Sequence, residues 1–210
     1  MDAPAKKRRT RIQTEKRELI LEAALEVFSA HGFRGSTIDQ IAEAAGMSKP
    51  NLLYYFRRKE DIHEALIERL LKTWLQPLRE LDEAGDPFTE LRSYIRRKLE
   101  MARDYPRESR LFANEILQGA PRIMPLLEGE LKTLVEEKAA IISGWMRAGK
   151  IATTDPRHLI FSIWATTQHY ADFDVQVRAV LGSGHDSDGR FQDALRFLEQ
   201  LYIGGLRPQG

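Results

Sequence analysis

The sequence lacks several features that would each point to a class of protein. It has no cysteine, which excludes disulfide bonds, thiolate metal centres and cysteine nucleophiles. No apolar run approaches the roughly 18 residues of a membrane span, and no apolar stretch follows the basic N-terminus as in a secretory signal. We therefore expect a cytoplasmic protein with no membrane partner.

Catalytic motifs are missing as well. There is no GxSxG, no HExxH and no glycine-rich loop between a strand and a helix, so the common hydrolase, metalloprotease and nucleotide-binding sites are not indicated. His169 and Asp172 have the spacing of a shared metal site, but a lone pair of this kind is more often structural. We predict that the chain is not an enzyme and holds no metal and no cofactor.

Period-2 alternation, the pattern of a half-buried strand, is also absent, whereas helical spacing of apolar residues recurs along the whole chain. The sequence predicts an all-α fold of about nine helices. The later ones are expected over residues 59–81, 88–104, 107–118, 122–148, 157–181 and 190–203. We expect a flexible basic arm over residues 1–13, a helix-turn-helix domain over 14–58, and a ligand-binding and dimerisation domain over 59–210.

The residues from Ser36 to Phe56 show the pattern of two short helices joined by a tight turn. Thr37 and Gln40 have the spacing of a capping box, and Gly46 supplies a left-handed residue at the end of the first helix. One apolar face of that helix is formed by Ile38, Ile41, Ala42 and Ala45. The pattern favours a helix-turn-helix over two ordinary helices of an α-helical core.

The second helix of the pair is predicted to begin after Ser48 as its N-cap. In a helix-turn-helix the first residues of that helix contact base edges in the major groove of double-stranded DNA. Through Arg58 the chain has 11 lysines and arginines against 7 acidic residues, and the remainder has 21 against 24, so the positive charge coincides with this motif. The predicted DNA-binding residues are Thr37, Lys49, Pro50, Asn51, Tyr54, Tyr55, Arg57 and Lys59.

These residues resemble the TetR family of one-component transcriptional regulators. The matching positions are Ile20, Ala23, Ala24, Phe28, Gly32, Phe33, Thr37, Ile38, Ile41, Ala42, Ala45, Gly46, Met47, Ser48, Tyr55, Phe56, Lys59 and Glu60. The resemblance implies phosphate contacts by Tyr55 and Lys59. The chain departs from the family pattern at Leu53, where a tyrosine is usual and Tyr54 follows instead, and at Arg58, where a small helix cap is usual.

The remainder of the chain is similar to one subgroup of that family, the Rut-type regulators of pyrimidine utilisation. The similarity is carried by residues 51–56, 103–106, 110–112, 119–121, 155–156, 158–161, 164–165 and 167–173. It implies a homodimer whose effector domain senses uracil or a related pyrimidine such as thymine.

A pyrimidine needs flat apolar walls and a few converging polar groups. Trp164 and Gln168 are four residues apart on one predicted helix, so they point the same way, and a glutamine amide offers both a donor and an acceptor. The predicted ligand-binding residues are Trp74, Arg92, Asn114, Glu115, Phe161, Trp164 and Gln168. Three alternatives stay open: tryptophans that are only core, a different effector, and a DNA binder with a vestigial pocket.

The last two long helices carry more apolar residues than one chain of this size needs. We expect them to form a four-helix dimer interface that spaces two DNA-binding domains for a palindromic operator. The residues assigned to it are Val175, Val180, Phe191, Leu195, Leu198, Leu201 and Tyr202. The alternative is that these residues close the core of a single chain.

Overall fold

The computed structural model describes residues 11–182 and 187–208, and every regular element in these ranges is helical. The all-α prediction is confirmed for this part of the chain. Two compact units are formed, Met1–Arg69 and Leu70–Gly210, and helix α4 includes the boundary between them. Within the described ranges no helix combines the length and apolar character needed to cross a membrane.

The N-terminal unit contains α1 (Arg11–Gly35), α2 (Ile38–Ala44), α3 (Lys49–Tyr55) and the first half of α4 (Lys59–Arg79). Because α1 already begins at Arg11, the predicted arm is wrong for residues 11–13; its residues 1–10 lie outside the described ranges. Gly32 interrupts α1 with a φ of 66°, a left-handed value that favours glycine. The chain turns there into α2.

The core of the N-terminal unit is built around Phe28, which is 1% exposed. Its ring and that of Phe33 both meet the buried imidazole of His63 edge-on, at centroid distances of 5.1 and 4.9 Å. Ile41 of α2 and Leu52 of α3 are fully buried. Each short helix is thus held to the unit by its apolar face, which leaves the opposite face to solvent.

The described part of the C-terminal unit contains the rest of α4 and eight further helical segments. They are α5 (Pro87–Asp104), α6 (Pro106–Leu117), α7 (Met124–Leu126), a π-helical turn (Leu127–Leu131), α8 (Lys132–Arg147), α9 (Pro156–Asp172), α10 (Asp174–Leu181) and α11 (Ser187–Gly205). Asp86 and Asp155 are the N-caps of α5 and α9, because their carboxylates accept hydrogen bonds from backbone amides in the first turn of each helix.

Two predicted helices are divided. The one expected over 122–148 consists of α7, the π-helical turn and α8. The one expected over 157–181 breaks at Phe173, whose backbone leaves the helical region (φ −115°, ψ 26°) between α9 and α10. The helical spacing of apolar residues continues across both breaks, so it does not predict them.

The core of the C-terminal unit lies where α5 packs against α9 and α11. Four residues assigned above to the dimer interface belong to this core: Phe191, Leu195, Leu198 and Tyr202. That part of the prediction is wrong, because one apolar face of α11 turns inward onto α5. The large apolar side chains that remain exposed on α10, α11 and the residue before α10 are Phe173, Val175, Val180, Leu181, Phe197 and Leu201.

Candidate functional site

The turn between α2 and α3 has the capped geometry that the sequence predicts. The Thr37 hydroxyl accepts a hydrogen bond from the Gln40 amide at 3.2 Å, and the Gln40 side chain accepts one from the Thr37 amide at 2.8 Å. Gly46 has a φ of 62° and ends α2 as expected. Ser48 occupies the N-cap position of α3, as predicted, although its side chain makes no capping hydrogen bond.

Helix α3 exposes its polar residues at its N-terminal end. Lys49, Pro50 and Asn51 are exposed, and Tyr54, one turn on, is 71% exposed. Leu52 lies on the opposite face and is fully buried. Of the other predicted DNA-binding residues, Thr37 and Arg57 are exposed and Tyr55 and Lys59 are half-buried.

Lys59 is engaged inside the N-terminal unit. Its ammonium donates hydrogen bonds to the carbonyl oxygens of Phe33 and Ser36, both at 2.7 Å, and lies 4.4 Å from the centroid of the Phe33 ring. A lysine has three N–H donors, so two are used to hold the turn between α1 and α2. The third N–H donor of Lys59 is left for the predicted contact with a DNA phosphate, which stays a prediction.

Arg17 of α1 was not foreseen from the sequence, although it fixes the end of α3. Its guanidinium donates a hydrogen bond to the carbonyl oxygen of Tyr55 at 2.7 Å and lies 3.8 Å over the Phe56 ring. On the other end of α3, the Lys49 ammonium forms an ion pair with Asp39 of α2 at 2.9 Å. Neither contact can be predicted from the spacing of residues within one helix, because the partners lie on different helices.

A cavity of about 50 Å³ in the C-terminal unit brings together three predicted ligand-binding residues, Trp74, Trp164 and Gln168. Its other lining residues are Leu71, Leu75, Lys98, Phe112 and Leu131. A water molecule needs on the order of 10–15 Å³ of such space, so the cavity has room for a few waters or one small ring.

The remaining four predicted residues lie elsewhere. Phe161 lines a neighbouring cavity with Trp164 and is 44% exposed. Arg92 and Asn114 are exposed on α5 and α6, because they point away from the apolar faces of those helices. Glu115 is buried, but its carboxylate pairs with the Arg122 guanidinium at 3.0 Å. Arg92, Asn114 and Glu115, which were predicted to bind the ligand, therefore do not line this cavity.

Lys98 is the polar residue that sequence reasoning missed. It lies seven residues after Leu91 and three after Ile95, on the buried face of α5, and a cation within an apolar stripe is a signal that could have revealed it. It is 3% exposed, and its ammonium is 5.6 Å from the centroid of the Trp74 ring. Burial lowers the pKa of Lys98 to about 7, opposed by attraction to Asp172.

Asp172 and Tyr94 each act on a residue that lines this cavity, Asp172 by attraction to Lys98 and Tyr94 by a hydrogen bond with Trp164. The Asp172 carboxylate accepts a hydrogen bond from the buried Ser109 hydroxyl at 2.6 Å, and burial raises the pKa of Asp172. The Trp164 indole donates a hydrogen bond to the Tyr94 hydroxyl at 2.6 Å, and burial raises the pKa of Tyr94. Trp164 is thus fixed in orientation by a buried neutral partner.

Comparison with known proteins covers both units. Residues 20–66 match the family described as bacterial regulatory proteins, tetR family, and residues 67–209 match the YcdC-like protein, C-terminal region. The chain is 48% identical over 202 residues to the HTH-type transcriptional regulator RutR of Escherichia coli K12 and to that of Shigella flexneri. Each alignment covers 96% of this chain and 95% of the relative.

Solved structures share the fold at lower identity. A TetR-like transcriptional regulator from Rhodococcus sp. RHA1 superposes with a TM-score of 0.66 and 23% identity, over 90% of this chain and 94% of that chain. Salmonella enterica GusR superposes with a TM-score of 0.67 and 21% identity, over 91% and 95%. At this identity the likeness concerns the fold alone.

A capped helix-turn-helix with an exposed polar second helix, followed by a helical unit with a small aromatic cavity, defines a DNA-binding transcriptional regulator. The chain belongs to the TetR family of these regulators, as the sequence resemblance indicated.

Proposed function

We propose that this regulator responds to uracil or a closely related pyrimidine such as thymine. One observation carries the proposal: two tryptophans and two hydrogen-bonding side chains line a single small cavity. Trp74 and Trp164 supply flat apolar surface, while Lys98 and Gln168 supply polar groups. Within the described residues neither the Lys98 ammonium nor the Gln168 amide has a hydrogen-bond partner, so both are available to a ligand.

The chemistry of a pyrimidine suits this set of groups. Uracil is a planar ring with two carbonyl acceptors and two N–H donors. The Lys98 ammonium can only donate, so it fits a carbonyl oxygen, whereas the Gln168 amide can donate to a carbonyl and accept from a ring N–H. A buried polar group that meets a matching ligand atom favours that ligand strongly over analogues that leave it unpaired.

Sequence similarity also supports a pyrimidine as the ligand. The longest block of similarity to Rut-type regulators lies in residues 158–173, the segment that supplies Trp164 and Gln168 to the cavity. That subgroup implies a pyrimidine effector.

Calorimetric titration of the full-length protein with uracil and thymine tests this proposal. Gln168→Leu keeps most of the side-chain volume and removes the amide, and we expect it to weaken uracil binding about tenfold, the effect of a hydrogen bond left unmade. Arg92→Leu, an exposed position on α5, is the matched control and should bind as the wild type does. The absence of heat with the wild type, or equal affinity in Gln168→Leu and Arg92→Leu, would exclude this site.

For DNA, we propose that Lys49, Asn51 and Tyr54 contact bases and that Thr37, Tyr55, Arg57 and Lys59 contact phosphates of a palindromic operator. The exposure of the first residues of α3 supports this assignment. Asn51 carries the amide needed for a bidentate contact to adenine. The Lys49–Asp39 ion pair is exposed, so it is worth little in water and can be exchanged for a contact with DNA.

We also propose that the protein is a homodimer, joined through the outward apolar faces of α10 and α11. Val175, Val180, Phe197 and Leu201 are each at least half exposed, and large apolar side chains left in solvent are typical of interaction surfaces. Two-fold symmetry of the protein would match the two-fold symmetry of the operator. We expect the regulator to act in the cytoplasm by binding alone, without catalysis.

Effector binding is coupled to DNA binding, in this proposal, through α4, which contains both Lys59 and Trp74. A ligand shifts a conformational equilibrium only by its differential affinity for the two states. Release of the operator therefore requires only that the uracil-bound cavity favour one position of α4 over another.

A further inference from the structure

A second and larger cavity lies in the C-terminal unit and shares no lining residue with the tryptophan cavity. Its volume is about 270 Å³, and it is lined by side chains of α5, α6, α9, α10 and α11. Leu99, Phe191 and Ala194 form a buried apolar part of its lining.

Arginine side chains also line this cavity, beside its apolar part. Three arginines from three different helices line the cavity: Arg103 of α5, Arg110 of α6 and Arg190 of α11. The one acidic lining residue, Asp174, is paired with Arg178 outside the cavity at 2.9 Å. The lining therefore holds three guanidinium groups and one carboxylate.

Arg103 and Arg110 are held in place by contacts with neighbouring groups. The Arg103 guanidinium lies 4.5 Å over the Phe191 ring and is bonded to Asp104 at 2.7 Å. Arg110 donates one hydrogen bond, at 3.2 Å, to the carbonyl oxygen of Ala171. A guanidinium has five N–H donors, so most of those on Arg110 remain available within the described residues.

We propose that this cavity binds a small organic anion with an aromatic or apolar body and a carboxylate or phosphate head group. The body would lie against Phe191 and Leu99, and the head group would accept hydrogen bonds from Arg110. Guanidinium groups match both kinds of head group in a bidentate geometry. The hydroxyl of Tyr170, also in the lining, is a further donor.

Calorimetric titration of the full-length protein with benzoate and with phenyl phosphate tests the proposal and separates the two head groups. We expect saturable binding of at least one of them and clearly weaker binding of phenol, which has the ring without the charge. Inorganic phosphate, which has the charge without the ring, should also bind more weakly than phenyl phosphate.

Three variants locate the site. Arg110→Gln should weaken binding of the anion about tenfold, the effect of removing a charged donor, whereas Arg110→Lys should retain more of the affinity. Arg107→Gln, an exposed position one turn earlier on α6, removes the same charge outside the cavity and should bind as the wild type does. Gln168→Leu should leave anion binding intact, which separates this site from the proposed effector cavity.

Three results would overturn the proposal. The first is that neither benzoate nor phenyl phosphate binds the wild type saturably at millimolar concentration. The others are that phenol binds as tightly as the anions, or that Arg110→Gln and Arg107→Gln have the same affinity. Changes in the NMR resonances of Phe191 and Tyr170 on titration of the wild type give a readout that does not depend on any variant, and unchanged resonances at saturation would also refute this location.

Discussion

Replacement of Lys98 by methionine separates its effect on stability from its effect on ligand binding. Methionine keeps most of the length of the side chain and removes the charge. Below pH 7 the folded chain carries a buried ammonium whose pKa is lowered from 10.5 to about 7. At about 1.4 kcal/mol per unit, burial of this charge destabilises the folded state by about 4–5 kcal/mol. Apolar replacement of buried charges returns about 1–4 kcal/mol, and we expect a gain in that range for Lys98→Met.

The pH dependence gives this prediction its sign. Between the folded pKa of about 7 and the ordinary value near 10.5, the unfolded chain binds a proton at Lys98 that the folded chain does not. Stability of the wild type therefore gains a positive slope with pH in that window, and Lys98→Met lacks this contribution. The advantage of the variant should be largest below pH 7 and should shrink as the pH rises toward 10.

Urea unfolding at pH 6, 7.5 and 9.5, at one fixed protein concentration, measures the difference. Lys150→Met, at an exposed position of the same unit, is the control and should change stability by less than about 0.5 kcal/mol. The same Lys98→Met protein should bind uracil at least about tenfold more weakly. A variant that is less stable than the wild type at pH 6, or a stability difference that does not vary with pH, would refute the reasoning.

Other predictions concern the N-terminal unit and the dimer. Thr37→Ala removes the cap of α2 and should lower the free energy of unfolding by about 1 kcal/mol; an unchanged urea midpoint would show that the cap adds nothing. Asn51→Ala should lose about 1–3 kcal/mol of base discrimination in fluorescence anisotropy, whereas Lys59→Ala should weaken all DNA sequences alike and flatten the salt dependence. Wild-type affinity in both Lys49→Ala and Asn51→Ala would mean that α3 does not contact bases. Val180→Asp should shift the sedimentation mass from two chains to one at micromolar concentration, and a wild type that already sediments as one chain would exclude the dimer.

The parts of the molecule that the sequence predicted are those specified by neighbours along the chain. The capping box of Thr37 and Gln40 and the left-handed turn at Gly46 depend on residues a few positions apart, and both are present. The pairing of Trp164 with Gln168 on one face follows from helical spacing in the same way, and both line one cavity.

The parts that were missed depend on contacts between distant residues. Arg92 is one of the predicted ligand-binding residues, but its place beside Leu91 turns it to solvent, whereas Lys98 lies on the buried face of α5. Glu115 is buried as a ligand-binding residue would be, yet its partner is Arg122 of the following loop. Spacing within one helix predicts which way a side chain points but not which group it meets.

The inward face of α11 shows the same limit. Its apolar residues have the spacing of a packed helix, and that spacing is identical for a partner in the same chain and for one in a second chain. Only the packing of α5 against α11 shows that Leu195 and Leu198 are buried in the core of a single chain.

The most direct measurement of effector-controlled DNA binding is the affinity of the wild type and Gln168→Leu for one DNA duplex, with and without uracil. The duplex is obtained by selecting bound sequences from a random pool with the wild-type protein. We expect uracil to change wild-type affinity by about 5–150-fold, the usual range of allosteric coupling, and to act on Gln168→Leu only at about tenfold higher concentration. Wild-type affinity that saturating uracil leaves unchanged, or equal uracil sensitivity in the two proteins, would contradict the proposed control of DNA binding through this cavity.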